Sequence, residues 1–298
     1  MEIQTLSIVV PTKGKCINKC PFCVSRMSKS PYKDQIQGNQ RFIRLYEEDY
    51  TSRLAFARDN GCNTIILTGD GEPLQNFPFL RDFSHWNMAL GDRRFHWIEL
   101  QTTGVLLNDE KLRFLRDTVR VSTISVSVCN IWHSPSNADI IGMPKNARVE
   151  IPNLCSEIKR YDFNLRLSIN LIDYYDTLIH RPGDIFHRAR ELGADQIIFR
   201  VLYSSGTTRK EFNDQDTWIA DHRASKEAVQ SIEDYIKTHG KPLERLPFGA
   251  IRYSVDGLST VLDDNCMPQE VTSSFRYLVL RENCKLYSRW DDPASLIF

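Results

Sequence analysis

Long apolar runs are missing from this 298-residue chain. No window approaches the roughly eighteen uninterrupted apolar residues that a membrane-spanning helix requires. The first residues, Met1 to Thr5, show no basic stretch followed by a long apolar segment, so neither a signal peptide nor a membrane anchor is expected. Charge of one sign is missing too. Lysine plus arginine and aspartate plus glutamate both number 38, and a net charge of zero creates no global field favouring nucleic acid or an anionic membrane. Cysteine is sparse: eight in all are too few for a disulfide scaffold, and Cys62, Cys129, Cys155, Cys266 and Cys284 are scattered. The histidines form no H-x-x-x-H or similar ligand array, and the chain holds no internal repeat, low-complexity segment or flexible linker. A soluble, cytoplasmic protein in a reducing compartment is expected, built as one large α/β domain with an appended cap.

What is present is a regular alternation of apolar runs and amphipathic stretches. Runs over residues 6–10, 64–67, 97–101, 123–128, 165–170 and 196–202 read as strands. A helix is expected over 42–60, where Tyr46, Tyr50, Leu54 and Ala57 share a face before Asn60-Gly61, and a short one over 77–89. Others follow the cap Asn108 with Leu112 and Leu115, surround Leu154, Ile158 and Tyr161, and run from Asp184 to Gly193. Six strand–helix units in succession imply parallel strands joined by right-handed crossovers. In such folds the chemistry gathers at the carboxyl ends of the strands. The tail changes character: a helix from Ser225 through Val229, Ile232 and Ile236 to Gly240 precedes two expected hairpins, 251–262 around Asp256-Gly257 and 275–287 around Glu282-Asn283.

Three cysteines are not scattered. Cys16, Cys20 and Cys23 stand in a C-x3-C-x2-C array just past the first strand. An iron–sulfur cube normally takes four cysteines, so three thiolates hold such a centre with one position open, as catalytic metal sites do. Two other readings fit the same residues. Cys20-Pro21-Phe22-Cys23 alone has the form of a glutaredoxin dithiol at a helix N-terminus, and a structural zinc would add a remote fourth ligand such as Cys62 or His85. Directly after the second strand stands Thr68-Gly69-Asp70-Gly71-Glu72-Pro73-Leu74, where the glycines permit close backbone approach to a ligand and the proline fixes a turn. An ordinary strand–helix turn would use the same residue types.

The cysteine array with Phe22 before its last member, followed in order by the six units over residues 6–202, resembles the radical S-adenosylmethionine (radical SAM) superfamily. The resemblance implies an α/β fold, a partial (β/α)6 barrel over residues 1–210 with a C-terminal β-rich cap, the helix and hairpins of 211–298, over the substrate. It implies a [4Fe-4S] cluster on Cys16, Cys20 and Cys23 and SAM as the cofactor chelated by the fourth iron. Reductive cleavage of SAM then yields a 5′-deoxyadenosyl radical that abstracts hydrogen from a substrate, with a flavodoxin- or ferredoxin-type protein as electron donor. By the same resemblance Gly69, Gly71 and Glu72 occupy the place of a Gly-Gly-Glu motif that binds the amino group of SAM, Asp70 being a departure from it. Phe22 would contact adenine through its backbone, and Thr103 lies where the family places a polar residue near SAM. Ser127 and Asn170 lie where hydroxyl and amide contacts to the SAM carboxylate and ribose occur; Ser125, Asn130 and Ser168 share those strand ends.

Arg200 interrupts an apolar sixth strand and must find an acceptor. SAM, an acidic substrate group and a structural salt bridge all satisfy that need. Cys129, beside the expected ribose site, is a candidate hydrogen-atom donor to a product radical; a small buried core residue is the plainer reading. Cys266 and Cys284 lack the paired spacing of a second cluster, and none is expected. Lys13, Lys15, Arg26, Lys29, Arg209, Arg276 and Arg281 offer cations for phosphate or carboxylate, though most read as solvated surface. They suggest a small anionic substrate such as a nucleotide, as in viperin-like members of similar length. A peptide-modifying radical SAM enzyme is the alternative, weakened by the expected absence of a leader-binding domain and of a C-terminal cysteine array. A zinc-stabilised binding or scaffold protein is the alternative outside enzymes.

Overall fold

The computed structural model describes residues 2–12, 15–27, 46–206, 208, 210–246, 249–264, 274–290 and 292–298. Six of the strands are the expected ones: β1 (Glu2–Val9), β2 (Thr64–Thr68), β3 (Trp97–Thr102), β4 (Thr123–Val128), β5 (Asn164–Leu171) and β6 (Gln196–Val201). Each pairs in parallel with the next. Along β5, Leu165, Leu167, Ile169 and Leu171 belong to the main hydrophobic core, while Arg166, Ser168 and Asn170 alternate with them on the opposite face, as a pleated strand requires. On this strand one face is therefore apolar and the other polar.

The helices follow the strands: α1 (Val24–Met27), α2 (Glu47–Asp59), α3 (Phe77–Ala89), α4 (Asp109–Phe114), α5 (Ser134–Ile141), α6 (Ile151–Arg160) and α7 (Gly183–Glu191). Tyr50, Leu54 and Ala57 of α2 are buried as the pattern predicts, and Tyr50 stacks on Trp86 of α3 at 4.2 Å. Residues 42–45, where the sequence begins this helix, lie outside the described residues. Asn108 caps α4 by accepting from the Lys111 N–H at 2.9 Å. The helix expected from Asp184 begins one residue earlier, at Gly183.

The tail adds α8 (Asp214–His222), α9 (Lys226–His239) and strands β7 (Gly240–Arg245), β8 (Ile251–Val255), β9 (Leu258–Asp263), β10 (Ser274–Leu280) and β11 (Leu286–Tyr287). Both expected hairpins are present, β8–β9 and β10–β11. They are continuous with the sheet, whose order is β11-β10-β1-β2-β3-β4-β5-β6-β9-β8-β7. β10 joins β1 in parallel and β9 joins β6 in parallel, so the tail extends both edges that border the open side. Side chains link the two strands added beside β1 and β6. Asp263 at the end of β9 accepts from Arg276 of β10 at 2.8 Å and from Arg200 of β6 at 3.1 Å. No helix among the described residues is long and apolar enough to cross a membrane.

Candidate functional site

The cysteine loop leaves the carboxyl end of β1 and is pinned by the exits of neighbouring strands. Val10 N–H donates to the Thr68 carbonyl at 2.7 Å. The Gln75 side chain accepts from the Ile17 N–H at 2.8 Å and donates to the Lys15 carbonyl at 3.2 Å, and Asn76 donates to the Pro11 carbonyl at 2.6 Å. From the other side, Lys19 N–H reaches the carbonyls of Ile141 and Gly142, both at 3.2 Å. Cys23 N–H donates back to the Cys20 carbonyl, and the chain then turns into α1. Phe22 packs on Trp218 of α8, ring centroids 5.7 Å apart.

Burial and neighbouring charge favour the protonated thiols of Cys16 and Cys20. Burial raises Cys16, as do the charges of Glu72 and Cys23, against hydrogen bonds from the backbone N–H groups of Asn18 and Glu72. Cys20 is pushed up to about 12 by burial, then by Cys23 and Cys16. Thiols that oppose one another's ionisation at short range ionise together when a cationic centre supplies the compensating charge. Among the described residues no three His, Cys, Asp or Glu side chains converge on a single-ion position. Three thiolates on separate corners of a cube need not converge in that way. Cys62 donates instead to the Gln4 and Thr64 carbonyls, near the opposite end of β2, and His85 lies on the exposed side of α3. Neither fourth zinc ligand named from the sequence lies in the cysteine loop, and the eleven-stranded sheet is not a glutaredoxin fold.

The glycine turn after β2 lies directly against this loop. A Cβ on Gly69 would stand 2.6 Å from the Val10 carbonyl oxygen, and one on Gly71 would stand 2.1 Å from Thr12 Oγ1, so only glycine fits either position. Glu72 is 3% exposed. Its carboxylate accepts from Thr102 Oγ1 at 2.6 Å and from the N–H and Oγ1 of Thr103, each at 3.0 Å. Burial nonetheless raises its pKa despite these bonds. Thr103 Oγ1 in turn accepts from Asn18 Nδ2 at 2.9 Å. A chain of bonds, Asn18 to Thr103 to Glu72, thus ties the cysteine loop to the exits of β3 and β2. The Glu72 side chain is spent on threonines, and its carbonyl accepts from the Gln75 N–H at 2.9 Å. Asn18 Oδ1 and Thr12 Oγ1 are buried beside the loop without protein partners, so the residues present suit a polar group bound against the cysteines and the turn.

Across the barrel, Ser127 and Asn170 come together as the sequence pairs them: Asn170 Nδ2 donates to Ser127 Oγ at 3.0 Å and to the Val128 carbonyl at 3.3 Å. Cys129 follows, fully buried, its backbone N–H held by Asn137 Oδ1 at 2.8 Å. Burial pushes its thiol far up, and the charge of Cys20 adds to this. Arg200 donates from Nε to Ser168 Oγ at 2.9 Å and from Nη1 to Asp263. The Asp263 contact is an ion pair, with two guanidiniums sharing one carboxylate, and Ser168 adds a neutral acceptor. Below them Glu99, Arg166 and Gln196 form a second polar layer.

Arg281 faces Trp290 rather than the cysteine loop, through the Trp290 carbonyl and a cation–π contact at 5.7 Å. Lys13, Lys29, Arg209 and Cys266 lie outside the described residues. An open groove of about 740 Å³ between α2 and α3, lined by Glu47, Glu48, Thr51, Ser52 and Arg93, holds none of the site residues. Sequence reasoning missed Asn18, Gln75, Asn76 and Asn137. Only Asn76 carried a local signal, as the side-chain cap of α3.

The fold is that of the radical SAM enzymes. The chain is similar to the solved structure of anSMEcpe with bound AdoMet and a peptide, at 11% identity and TM-score 0.58, covering 98% of this chain and 75% of that one. A second anSMEcpe structure with bound AdoMet matches at 14% identity and TM-score 0.57, over 96% and 74% of the two chains. Coproporphyrinogen III oxidase HemN from Escherichia coli, described as a radical SAM enzyme, matches at 12% identity and TM-score 0.51, over 80% and 54%. No protein-family model and no curated protein sequence matches the chain.

Proposed function

We propose that the protein is a radical SAM enzyme with one [4Fe-4S] cluster. The observation that carries this reading is the cysteine triad at the carboxyl end of β1, fastened to the glycine turn through Asn18, Thr103 and Glu72. Cys16, Cys20 and Cys23 would hold the cluster. Cluster and SAM together supply a 5′-deoxyadenosyl radical, after one electron from a flavodoxin- or ferredoxin-type donor in the cytoplasm. The backbone at Gly69, Gly71 and Glu72 receives the amino group of SAM, with Thr103 behind it. Ser127 and Asn170 receive its carboxylate or ribose, and the backbone at Phe22 its adenine. Arg200 is the residue assigned to a SAM or substrate carboxylate or phosphate. Cys129 is the hydrogen-atom donor to the product radical.

The substrate class in this reading is a small anionic molecule such as a nucleotide, under the cap formed by residues 211–298. What supports it is the pair of guanidiniums, Arg200 and Arg276, gathered at Asp263 on the polar face. A peptide substrate is the second reading, favoured by the fold shared with anSMEcpe, which was solved with a bound peptide.

Anaerobic reconstitution followed by dithionite and SAM tests the chemistry. The expected result is about four irons and four sulfides per chain and 5′-deoxyadenosine formation. One zinc with no broad visible absorption, or a fully clustered protein that leaves SAM intact, would sink the reading. Deuterium transfer into 5′-deoxyadenosine from labelled nucleotides or from peptides separates the two substrate classes.

A further inference from the structure

Asn18, between Cys16 and Cys20, is 2% exposed and held through both its backbone groups. Its N–H bonds the Cys16 thiol, as does the Glu72 N–H, and its carbonyl accepts from Arg26 Nη2 at 2.8 Å. The side-chain amide is oriented by hydroxyls that each have one hydrogen to give. Thr102 Oγ1 accepts from the Gly104 N–H at 2.9 Å and donates to Glu72 Oε1, while Thr103 Oγ1 donates to Glu72 Oε2. With its only hydrogen on the carboxylate, the Thr103 hydroxyl can do nothing but accept from Asn18. The amide must therefore present Nδ2 to it, at 2.9 Å, which turns Oδ1 away from Thr103. That oxygen is buried and has no partner. Thr12 Oγ1, in the space left by Gly71, is likewise buried and unpartnered. A hydroxyl rotates to donate or accept, whereas an amide oxygen only accepts, so Asn18 is the atom that specifies what must meet it. Leaving such an acceptor desolvated and unmet is costly.

We propose that Asn18 Oδ1 accepts a hydrogen bond from the amino group of bound SAM, making Asn18 a binding residue that fixes which way round the amino-acid end of the ligand lies. An amino group brings N–H donors that match a lone acceptor. A carboxylate brings only acceptors and is turned away from it. Asn18 is tied through Thr103 to Glu72, the last residue of the glycine turn assigned to the same amino group, so the cysteine loop and the turn act on one ligand atom. The inference rests on the radical SAM reading.

The experiment is anaerobic equilibrium dialysis of the cluster-loaded full chain with SAM and with an analogue that lacks only the amino group, for wild type, Asn18→Leu and Asn18→Ala. Iron content confirms loading of each chain. Asn18→Leu keeps the volume of the side chain and removes the acceptor. Its SAM affinity should fall about tenfold while its affinity for the analogue stays within about twofold of wild type. The preference for SAM over the analogue then falls with the SAM affinity. A residue that only holds the loop would weaken both ligands alike and leave the preference unchanged. That result, or wild-type affinity for SAM, overturns the proposal and gives Oδ1 to a buried water instead. Asn18→Ala removes the same oxygen with less steric demand and carries the measurement if the leucine variant takes up no cluster. Wild type with equal affinity for the two ligands overturns the proposal with no variant at all. A clustered wild type that binds no SAM overturns the proposed function and this inference with it, whereas SAM binding with an unchanged preference in both variants overturns this inference alone.

Discussion

At Cys20, burial and two neighbouring thiols oppose ionisation together, holding the thiol up to about 12. A thiolate forms there when a cationic centre displaces the proton, which makes the three cysteines one cooperative unit rather than three independent ligands. Cys20→Ala is therefore expected to lose the cluster as a whole, with iron content after reconstitution falling to about a tenth of wild type or less, and SAM cleavage lost with it. Iron and labile-sulfide analysis measures this, and wild-type loading would refute the ligand assignment. Gly71 makes a different demand. Its missing Cβ is the space occupied by Thr12 Oγ1, so Gly71→Ala must move the turn away from the cysteine loop. SAM affinity of the reconstituted chain should fall about tenfold or more while the fold survives, because overpacking one turn costs only about 1–3 kcal/mol. Equilibrium binding checks it, and unchanged affinity would separate the turn from the cofactor.

At the scale of elements, the support of the cysteine loop comes from its neighbours' exits. Gln75 follows Pro73 in the single helical turn between β2 and α3, and its amide bridges Ile17 and Lys15. Gln75→Ala should leave global stability within about 1–2 kcal/mol of wild type but raise hydrogen exchange of the loop around Ile17 about tenfold. Unaltered exchange would show that the loop is held elsewhere. Such supports were not legible in the sequence, because an amide bonded to a backbone carbonyl across the fold leaves no periodicity and no spacing. The strands were legible for the opposite reason: parallel strands packed under helices read as short apolar runs, and Ser127 and Asn170 stand out as polar positions at the ends of such runs. Edge strand β7 was missed. Lys241, Leu243, Glu244 and Arg245 are exposed, Pro242 interrupts the run, and the strand pairs on one side alone, which is where proline is tolerated. α8 was missed although it carries a readable signal, the capping box of Asn213 and Asp216.

In the whole molecule, the sheet stays open, and a side-chain network links β9 and β10 across the open side. β9 and β10 form no ladder with each other, and Asp263 spans the seam by accepting from Arg200 and Arg276. The sequence showed Arg200 as a charge needing a partner; the partner lies 63 residues on, beyond the reach of any local pattern. Asp263 is 4% exposed, so Asp263→Ala strands two guanidiniums around a desolvated space. Breaking a buried pair costs about 3–5 kcal/mol; because both arginines retain some solvent contact, about 2–3 kcal/mol is expected here. Asp263→Asn keeps the shape and one acceptor and should lose less. Urea unfolding measures both. If the seam is only held together by this network, the m-value should stay unchanged while the midpoint falls. A stable Asp263→Ala chain would mean that the edges are joined by other contacts and that Arg200 is available to an anion without loosening the barrel.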